Sequence, residues 1–151
     1  MPQDILQKSW LGKGLGFPVN FDLATHDLQR AEFDESIRQS ILIILGTAKG
    51  ERVMRPDFGC GIYDLAFEPN TSSTASKVSQ VVQEALLFFE PRIDVIDIRV
   101  ESRFDNEGVA LDRDGNSAAV SKLMIFIDYE VRATNNVFNL VYPFYLERSP
   151  G

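Results

Sequence analysis

The chain has 151 residues, 44% of them hydrophobic and 11% aromatic, which is enough apolar surface for one globular domain. Its net charge of -7 argues against a nucleic-acid-binding protein, because such proteins usually carry a broad basic face. One cysteine and one histidine are too few for a zinc site, and neither a secretion signal nor a membrane-spanning run is visible, so we expect a protein of the cytoplasm without metal or cofactor.

The first 33 residues are predicted to form an extended, irregular arm. The stretch GKGLGFPV contains three glycines and one proline, and the apolar residues around it follow no sustained period. The spacing of Gly12, Gly14 and Gly16 does not match the dinucleotide-binding fingerprint, so a phosphate loop is not favoured. Residues 34–147 would then form a single domain, and residues 148–151 a short tail.

Two helices are predicted next. Asp34 can cap the first, and its apolar residues recur at helical spacing: Ile37, Ile41, Ile44 and Leu45. Residues 50–70 read as a loop rich in proline and glycine, with room for one helical turn at 62–66. Its aromatic residues Phe58, Tyr63 and Phe67 are predicted to pack under or against the two helices. The second helix follows the serine- and threonine-rich stretch TSST and should end at Glu90, because Pro91 disfavours helical geometry in the residue before it. Its apolar face comprises Val78, Val81, Val82, Ala85, Leu86 and Phe89.

Three strands in an antiparallel meander complete the prediction, which gives an α+β fold with the helices first. The strands are expected to turn these apolar residues to one face: Ile96, Ile98 and Val100; Leu123, Ile125, Ile127, Tyr129 and Val131; Phe138, Leu140, Tyr142, Phe144 and Leu146. Asn135 and Asn136 are predicted to form a two-residue hairpin turn. Pro143 lacks an amide hydrogen and therefore indicates an edge strand.

An acidic, glycine-rich stretch between the first two strands, residues 105–119, is predicted to be a solvated hairpin tip. Asp112, Asp114 and Asn116 resemble the start of a calcium loop. However, Ser117 stands where that loop needs glycine, and Leu123 where it needs a bidentate glutamate. A metal site is therefore not expected.

The junction between the second helix and the first strand, LLFFEPRIDV, places two charges among apolar residues. Glu90 and Arg92 must reach solvent, pair with each other or with another charge, or meet a partner, because an unpaired buried charge is costly. Arg52, Arg55 and Asp94 are the alternative partners within the chain.

The motifs GER, RPDFG, FEP and EPR stand in this order across residues 33–146. Together they resemble the lysozyme-like baseplate wedge family of contractile phage tails, type VI secretion baseplates and extracellular contractile injection systems. This resemblance implies a structural protein, present in several copies of a sixfold assembly, that binds a core bundle of two larger wedge proteins. It also implies contact with the first sheath ring, and a tube or hub protein as a further partner. The final particle would be cytoplasmic, membrane-anchored or extracellular.

The resemblance also implies site residues. The family's Glu-Pro-Arg motif, which holds the wedge partner, corresponds to Glu90, Pro91 and Arg92, and we expect the cations of the preceding loop, Arg52 and Arg55, to face the partner or this corner. The last strand, as an exposed edge, would accept strands from the sheath: its expected contacts are Val137, Asn139, Val141, Tyr142 and Tyr145. The alternative is that residues 17–21 of the arm cover the same surface.

Two other functions are compatible with parts of the sequence. A peptidoglycan glycoside hydrolase needs two carboxylates across one cleft, one with a raised pKa. The available acids are Glu51, Asp57, Glu68 and Glu90, and each has a plainer structural role, so no catalytic residue is assigned and the chain is not expected to be an enzyme. The second alternative is a free-standing peptide-binding module that uses the edge of the sheet.

Overall fold

The structure, a computed structural model, describes residues 12–146 except positions 17, 20, 24–26, 29, 33 and 112–116. Its first part contains four short strands: β1 (Lys13–Leu15), β2 (Phe21–Asp22), β3 (Asp27–Leu28) and β4 (Arg30–Glu32). β1 pairs with β4 and β2 with β3, both antiparallel. These short strand pairs within the predicted arm were not predicted from the sequence. Strand pairs of two or three residues satisfy backbone hydrogen-bonding groups. They are too short to produce a visible alternation of apolar residues in the sequence.

Helix α1 (Asp34–Gly46) confirms the first predicted helix, and the four residues of its predicted apolar face are all buried. Helix α2 (Ser72–Phe89) confirms the second. The Thr71 side-chain oxygen accepts a hydrogen bond from the Thr74 amide at 3.3 Å and so caps α2. The inner face of α2 buries five side chains: Thr74, Val78, Val82, Ala85 and Leu86.

The loop between the helices contains the predicted helical turn as a 3₁₀ helix, Gly61–Leu65. It is fastened to the end of α1 by the Cys60 amide, which donates to the Thr47 carbonyl at 2.8 Å. Cys60 is fully buried, and burial raises the pKa of its thiol. The loop is therefore part of the packed structure.

The sheet consists of β5 (Ile93–Leu111), β6 (Ser117–Val131) and β7 (Asn136–Leu146), paired antiparallel in that order. This confirms the predicted meander and the edge position of the strand that carries Pro143. The predicted hairpin tip at 105–119 was too long, since β5 and β6 extend into it and leave only residues 112–116 between them. The acidic and glycine residues there hide the strand period. The calcium-like residues Asp112, Asp114 and Asn116 lie outside the described residues.

A bulge in β5 changes the predicted face of one residue. Val95 is paired with Tyr129 and Asp97 with Asp128, so Ile96 is an extra residue without a partner on β6. Ile96 is 55% exposed, and the prediction that it faces the core was wrong. An inserted residue shifts the alternation of a strand by one position, which restores Ile98 to the inner face.

The predicted two-residue turn before β7 was also wrong. Val131 pairs with Asn136, so the turn contains the four residues 132–135. Asn135 alone of the two asparagines has a positive φ, 52°. Its amide donates to the Val131 carbonyl at 2.8 Å, and this helical type of turn competes with the tight asparagine turn that the sequence suggests.

Both helices pack on the inner face of the sheet. One cluster of buried side chains joins α1, α2 and the three long strands. β6 lies at its centre, with Leu123, Ile125 and Ile127 at most 1% exposed. The layered core thus fixes where the end of α2 meets the start of β5.

Candidate functional site

The corner between α2 and β5 is held by backbone hydrogen bonds on both sides. The Glu90 amide donates to the Leu86 carbonyl at 3.0 Å and ends the helix. Two residues later, the Arg92 carbonyl accepts from the Arg132 amide at 3.1 Å, which ties the corner to the turn before β7. Pro91 between them limits the backbone further. The directions of the two charged side chains are therefore set by the fold.

Glu90 and Arg92 pair with each other. Arg92 Nε donates to Glu90 Oε1 at 2.5 Å, and Nη2 to Oε2 at 2.6 Å. The Glu90 side chain is 1% exposed and that of Arg92 is 29% exposed. The hydrogen bonds that Arg92 donates to Glu90 raise the pKa of the Arg92 guanidinium. Glu90 thus acts as a buried acceptor that orients a partly exposed arginine.

Two of the alternative partners within the chain, Asp94 and Arg55, form other ion pairs. Asp94 binds Arg132, whose Nη2 lies 2.7 Å from Asp94 Oδ1. Arg55 lies 3.9 Å from Asp57 in a pair whose two side chains are both mostly exposed. The Glu90 pair is therefore internal, but with Arg92 and not with the loop arginines.

An open cleft of about 310 Å³ lies beside the corner. Arg92 and Arg52 both line it, together with the polar face of α1 and with β1. Arg52 lies over the ring of Phe58, with its Cζ 4.0 Å from the ring centroid, and Phe58 packs on Phe89 at 5.0 Å. The fold thus brings two of the expected binding residues to one cleft. Arg55 is not among the residues that line it.

The sequence had not indicated the α1 side of this cleft. Ser36, Gln39 and Ser40 contribute polar groups, and Ile43, which is 40% exposed, contributes an apolar one. Their spacing of three and four residues marks one helix face. That spacing was a readable signal, but it was masked by the stronger apolar face of the same helix.

Of the three loop aromatic residues, Phe58 packs against a helix as predicted, on Phe89, whereas Tyr63 packs against β7. Phe58 is half-buried, and Tyr63 meets the ring of Phe144 at 5.8 Å while its hydroxyl lies 3.3 Å from that of Tyr142. Phe67 is 61% exposed, so the expectation that it also packs against the helices was wrong. Its position after the 3₁₀ helix turns it away from both.

The outer face of β7 presents apolar side chains to solvent. Val137 is 62% exposed, Val141 38% and Tyr145 53%, and the Asn139 side-chain amide on the same face donates to Asp128. Tyr142 points to the opposite, inner face. The pKa of Tyr142 is raised, mainly by burial and to a smaller extent by the hydrogen bond with the Tyr63 hydroxyl. Four of the five expected contact residues therefore share one surface.

Among the residues that the structure describes, no strand pairs with the free edge of β7. Phe21, part of the segment that could have covered it, pairs with Leu28 in the small β2 and β3 hairpin. Phe17 lies outside the described residues. In the described part of the chain, the backbone edge of β7 is open.

The candidate acids have structural partners. Glu51 Oε2 accepts from the Ala48 amide at 2.9 Å, and Glu68 binds Lys77 Nζ at 2.8 Å. Within the described residues, no group of three or more histidine, cysteine or acidic side chains could hold a metal ion. None of the described helices is long and apolar enough to cross a membrane.

Comparison with known proteins gives a consistent picture. A family model described as baseplate wedge protein gp25 matches residues 31–136. The baseplate wedge protein gp25 of Enterobacteria phage T4 is 38% identical over 80 residues, which is 53% of this chain and 61% of that protein. The match therefore spans less than two thirds of that relative.

Two solved structures share the fold. A Geobacter sulfurreducens protein described as a candidate tail lysozyme is 46% identical, with a TM-score of 0.62 over 77% of this chain and 93% of that one. A chain of the anti-feeding prophage baseplate is 20% identical, with a TM-score of 0.59 over 96% of this chain and 94% of that one. At this lower identity the second likeness concerns the fold alone.

Proposed function

Since this chain belongs to the baseplate wedge protein gp25 family, and so is a wedge component of a phage tail or a contractile injection system, we propose that it binds the core bundle of two larger wedge proteins. It does so through the corner at Glu90, Pro91 and Arg92 and through Arg52 in the adjacent cleft. Its copies are part of a sixfold baseplate. The role is structural, and the particle is assembled in the cytoplasm.

The observation that carries this proposal is the asymmetry of the ion pair. Glu90, at 1% exposed, cannot be reached by a partner, whereas 29% of the Arg92 side chain is exposed. A buried carboxylate that accepts two hydrogen bonds from one arginine fixes the orientation of the guanidinium plane before a partner binds. Preorganised groups bind more tightly, because their conformational entropy is already lost. Glu90 therefore supports binding indirectly, and Arg92 makes the contact.

The test replaces both charges together. Arg92→Ala alone would leave Glu90 buried without its partner, at a cost of about 3–5 kcal/mol, so a loss of binding could reflect unfolding. Glu90→Gln/Arg92→Gln keeps a hydrogen-bonding pair in the site and removes the cation. We expect this double variant to remain folded by circular dichroism while its affinity for the co-expressed wedge proteins falls at least about tenfold.

Arg132→Gln is the matched control, because it removes an arginine that pairs with exposed Asp94 near the same corner. It should bind as the wild type does. Wild-type affinity in the folded Glu90→Gln/Arg92→Gln variant would contradict the proposed role of the corner.

We further propose that β7 begins sheath assembly by accepting strands from the first sheath ring. The support is its open backbone edge in the described part of the chain and the exposed apolar residues Val137, Val141 and Tyr145 beside it. Main-chain hydrogen bonds would give affinity, and the alternating side chains would set the register. The inward-facing Tyr142 supports the strand from below and makes no contact with the sheath.

A further inference from the structure

The loop after α1 displays two apolar side chains in solvent. Val53 and Met54 are each 92% exposed, and together they form what we call the loop tip. They stand between Arg52 and Arg55 in the sequence. Isolated apolar residues are common on surfaces, but two adjacent ones so completely exposed, with a cation on either side, form a small amphipathic projection.

The backbone below the loop tip is closed by hydrogen bonds. The Gly50 amide donates to the Pro56 carbonyl at 2.8 Å, which joins the two ends of the loop. Glu51 folds back, and its carboxylate accepts from the Ala48 amide at 2.9 Å. The Arg55 amide donates to the Arg52 carbonyl at 3.2 Å across the tip itself. The loop tip is therefore held in place, so inserting it into a partner would cost little further backbone entropy.

The loop around the tip is less acidic than the chain as a whole, because Lys49, Arg52 and Arg55 outnumber Glu51 and Asp57. The net charge is -7, yet the cleft next to the tip is lined by Arg52 and Arg92 and by no carboxylate among the described residues. Of the two acids on this loop, Glu51 accepts from the Ala48 amide, and Asp57 lies 3.9 Å from Arg55 and is mostly exposed. A local cationic surface on an acidic protein attracts carboxylates and repels other cations.

The cleft that Arg52 lines also exposes apolar side chains. Leu15 and Ile43 lie on the cleft wall and are 62% and 40% exposed. A partner bound here would thus contact apolar side chains at the loop tip and on the cleft wall, with guanidinium groups between them. An anionic lipid surface suits it poorly, because two apolar side chains bury little area and the whole chain is repelled by negative charge.

We propose that the loop tip is an anchor that inserts into an apolar socket on a protein partner, with carboxylates on the rim of the socket facing Arg52 and Arg55. This inference rests on the proposed function, since the partner to be tested is the pair of larger wedge proteins. It adds a second contact to the corner at Arg92 and states the chemistry that the partner must offer.

The experiment compares two changes that each remove exposed apolar surface. Val53→Ser/Met54→Ser removes the anchor, and Leu87→Ser removes an apolar side chain, 71% exposed, on the outer face of α2. Binding to the immobilised wedge proteins is measured by biolayer interferometry. We expect the anchor variant to lose at least about tenfold in affinity through faster dissociation, as central apolar anchors do, and the Leu87 variant to bind as the wild type. Arg52→Gln/Arg55→Gln should slow association and weaken its dependence on salt.

The outcomes separate the two proposals. If the wild type does not bind the wedge proteins, the proposed function is contradicted, and this inference with it. If the wild type binds and Val53→Ser/Met54→Ser binds equally well, the inference alone is contradicted. A photoreactive residue at position 54 should cross-link to an apolar partner segment that contains Asp or Glu. Cross-linking to a second copy of this chain, or binding of the wild type to vesicles of phosphatidylcholine and phosphatidylglycerol that depends on the tip, would overturn it.

Discussion

At Gly59 the loop that carries the anchor touches the end of α1. Its φ is +119°, a conformation that residues with a side chain rarely adopt, and an added Cβ would lie 2.4 Å from the Thr47 carbonyl oxygen. That oxygen accepts the Cys60 amide at 2.8 Å, so it cannot move away without breaking the bond that fastens the loop. The position therefore couples the loop to the core.

We expect Gly59→Ala to lower the free energy of unfolding by about 2–4 kcal/mol, since strained backbone and a clash with fixed backbone add together. Gly50→Ala is the matched control, because its φ is +83° but nothing lies within 4 Å of an added Cβ. It should cost only about 1–2 kcal/mol of backbone strain. Urea unfolding of the two variants measures both. An equal loss of unfolding free energy in the two variants would mean that the contact with Thr47 does not add to the cost.

At the charged corner, the sequence predicted only part of the arrangement that the structure shows. The proline after Glu90 predicted the end of the helix, and the apolar neighbours predicted that the two charges would need solvent, an ion pair or a partner. The sequence did not decide among internal pairing, solvent and a partner, because all three satisfy the same charges. Only the geometry shows that Glu90 is buried and that Arg92 is the exposed member.

Among the elements, β7 gives the clearest measurable consequence of the proposed role in sheath assembly. Amides of β7 that do not donate to β6 have no strand partner within the described residues. In the free protein they should exchange rapidly with solvent, and in assembled particles they should be slowed by at least about tenfold if sheath strands pair with them. Hydrogen exchange followed by mass spectrometry measures the difference.

Amides in the middle of β6 serve as the internal control for that measurement, because β6 pairs on both sides and should be protected in both states. If the free edge of β7 is already protected in the isolated protein, the edge is covered within the chain and is not available to the sheath. That result would favour the alternative in which the amino-terminal residues cover it.

The elements also show where the sequence pattern was misleading. The alternation of β6 is unbroken, and every predicted inner residue of that strand from Leu123 to Val131 is buried. In β5 the same reasoning failed at Ile96, because a bulge changes the phase of the strand without any glycine or proline to mark it. The four amino-terminal strands were missed for a different reason, since pairs of two or three residues leave no period to read.

For the whole molecule, the order of elements and the layered core could be predicted, because long amphipathic segments repeat their signal many times. The cleft beside Arg92 could not. It is built from β1, α1, the loop and the α2 corner, and no single segment carries a pattern that reports contacts between distant parts of a chain. The loop tip was missed as well, because the sequence does not say which apolar residues of a packed loop remain outside.

The enzymatic alternative is raised again by the description of the Geobacter sulfurreducens relative as a candidate tail lysozyme. A glycosidase needs one carboxyl kept protonated by an apolar site beside a second that is ionised. Glu90 is buried, but both of its carboxylate oxygens accept hydrogen bonds from Arg92, so neither is free to face a sugar. Glu84 and Asp94 line one open groove between α2 and β5, but both are exposed, and Asp94 is bound by Arg132. Neither the corner at Glu90 nor this groove offers one carboxyl in apolar surroundings beside a second in polar surroundings.

We therefore predict that the purified protein does not hydrolyse peptidoglycan. The measurement is the turbidity of a cell-wall suspension, with a lysozyme as positive control and the folded variants Glu90→Gln/Arg92→Gln and Glu84→Gln beside the wild type. No clearing is expected from any of the three, since a glycosidase needs one carboxyl in apolar surroundings, whereas both carboxylates of the open groove are exposed. Clearing by the wild type that is lost in either variant would show that one of these carboxylates is catalytic and would reverse the assignment of this chain to a purely structural role.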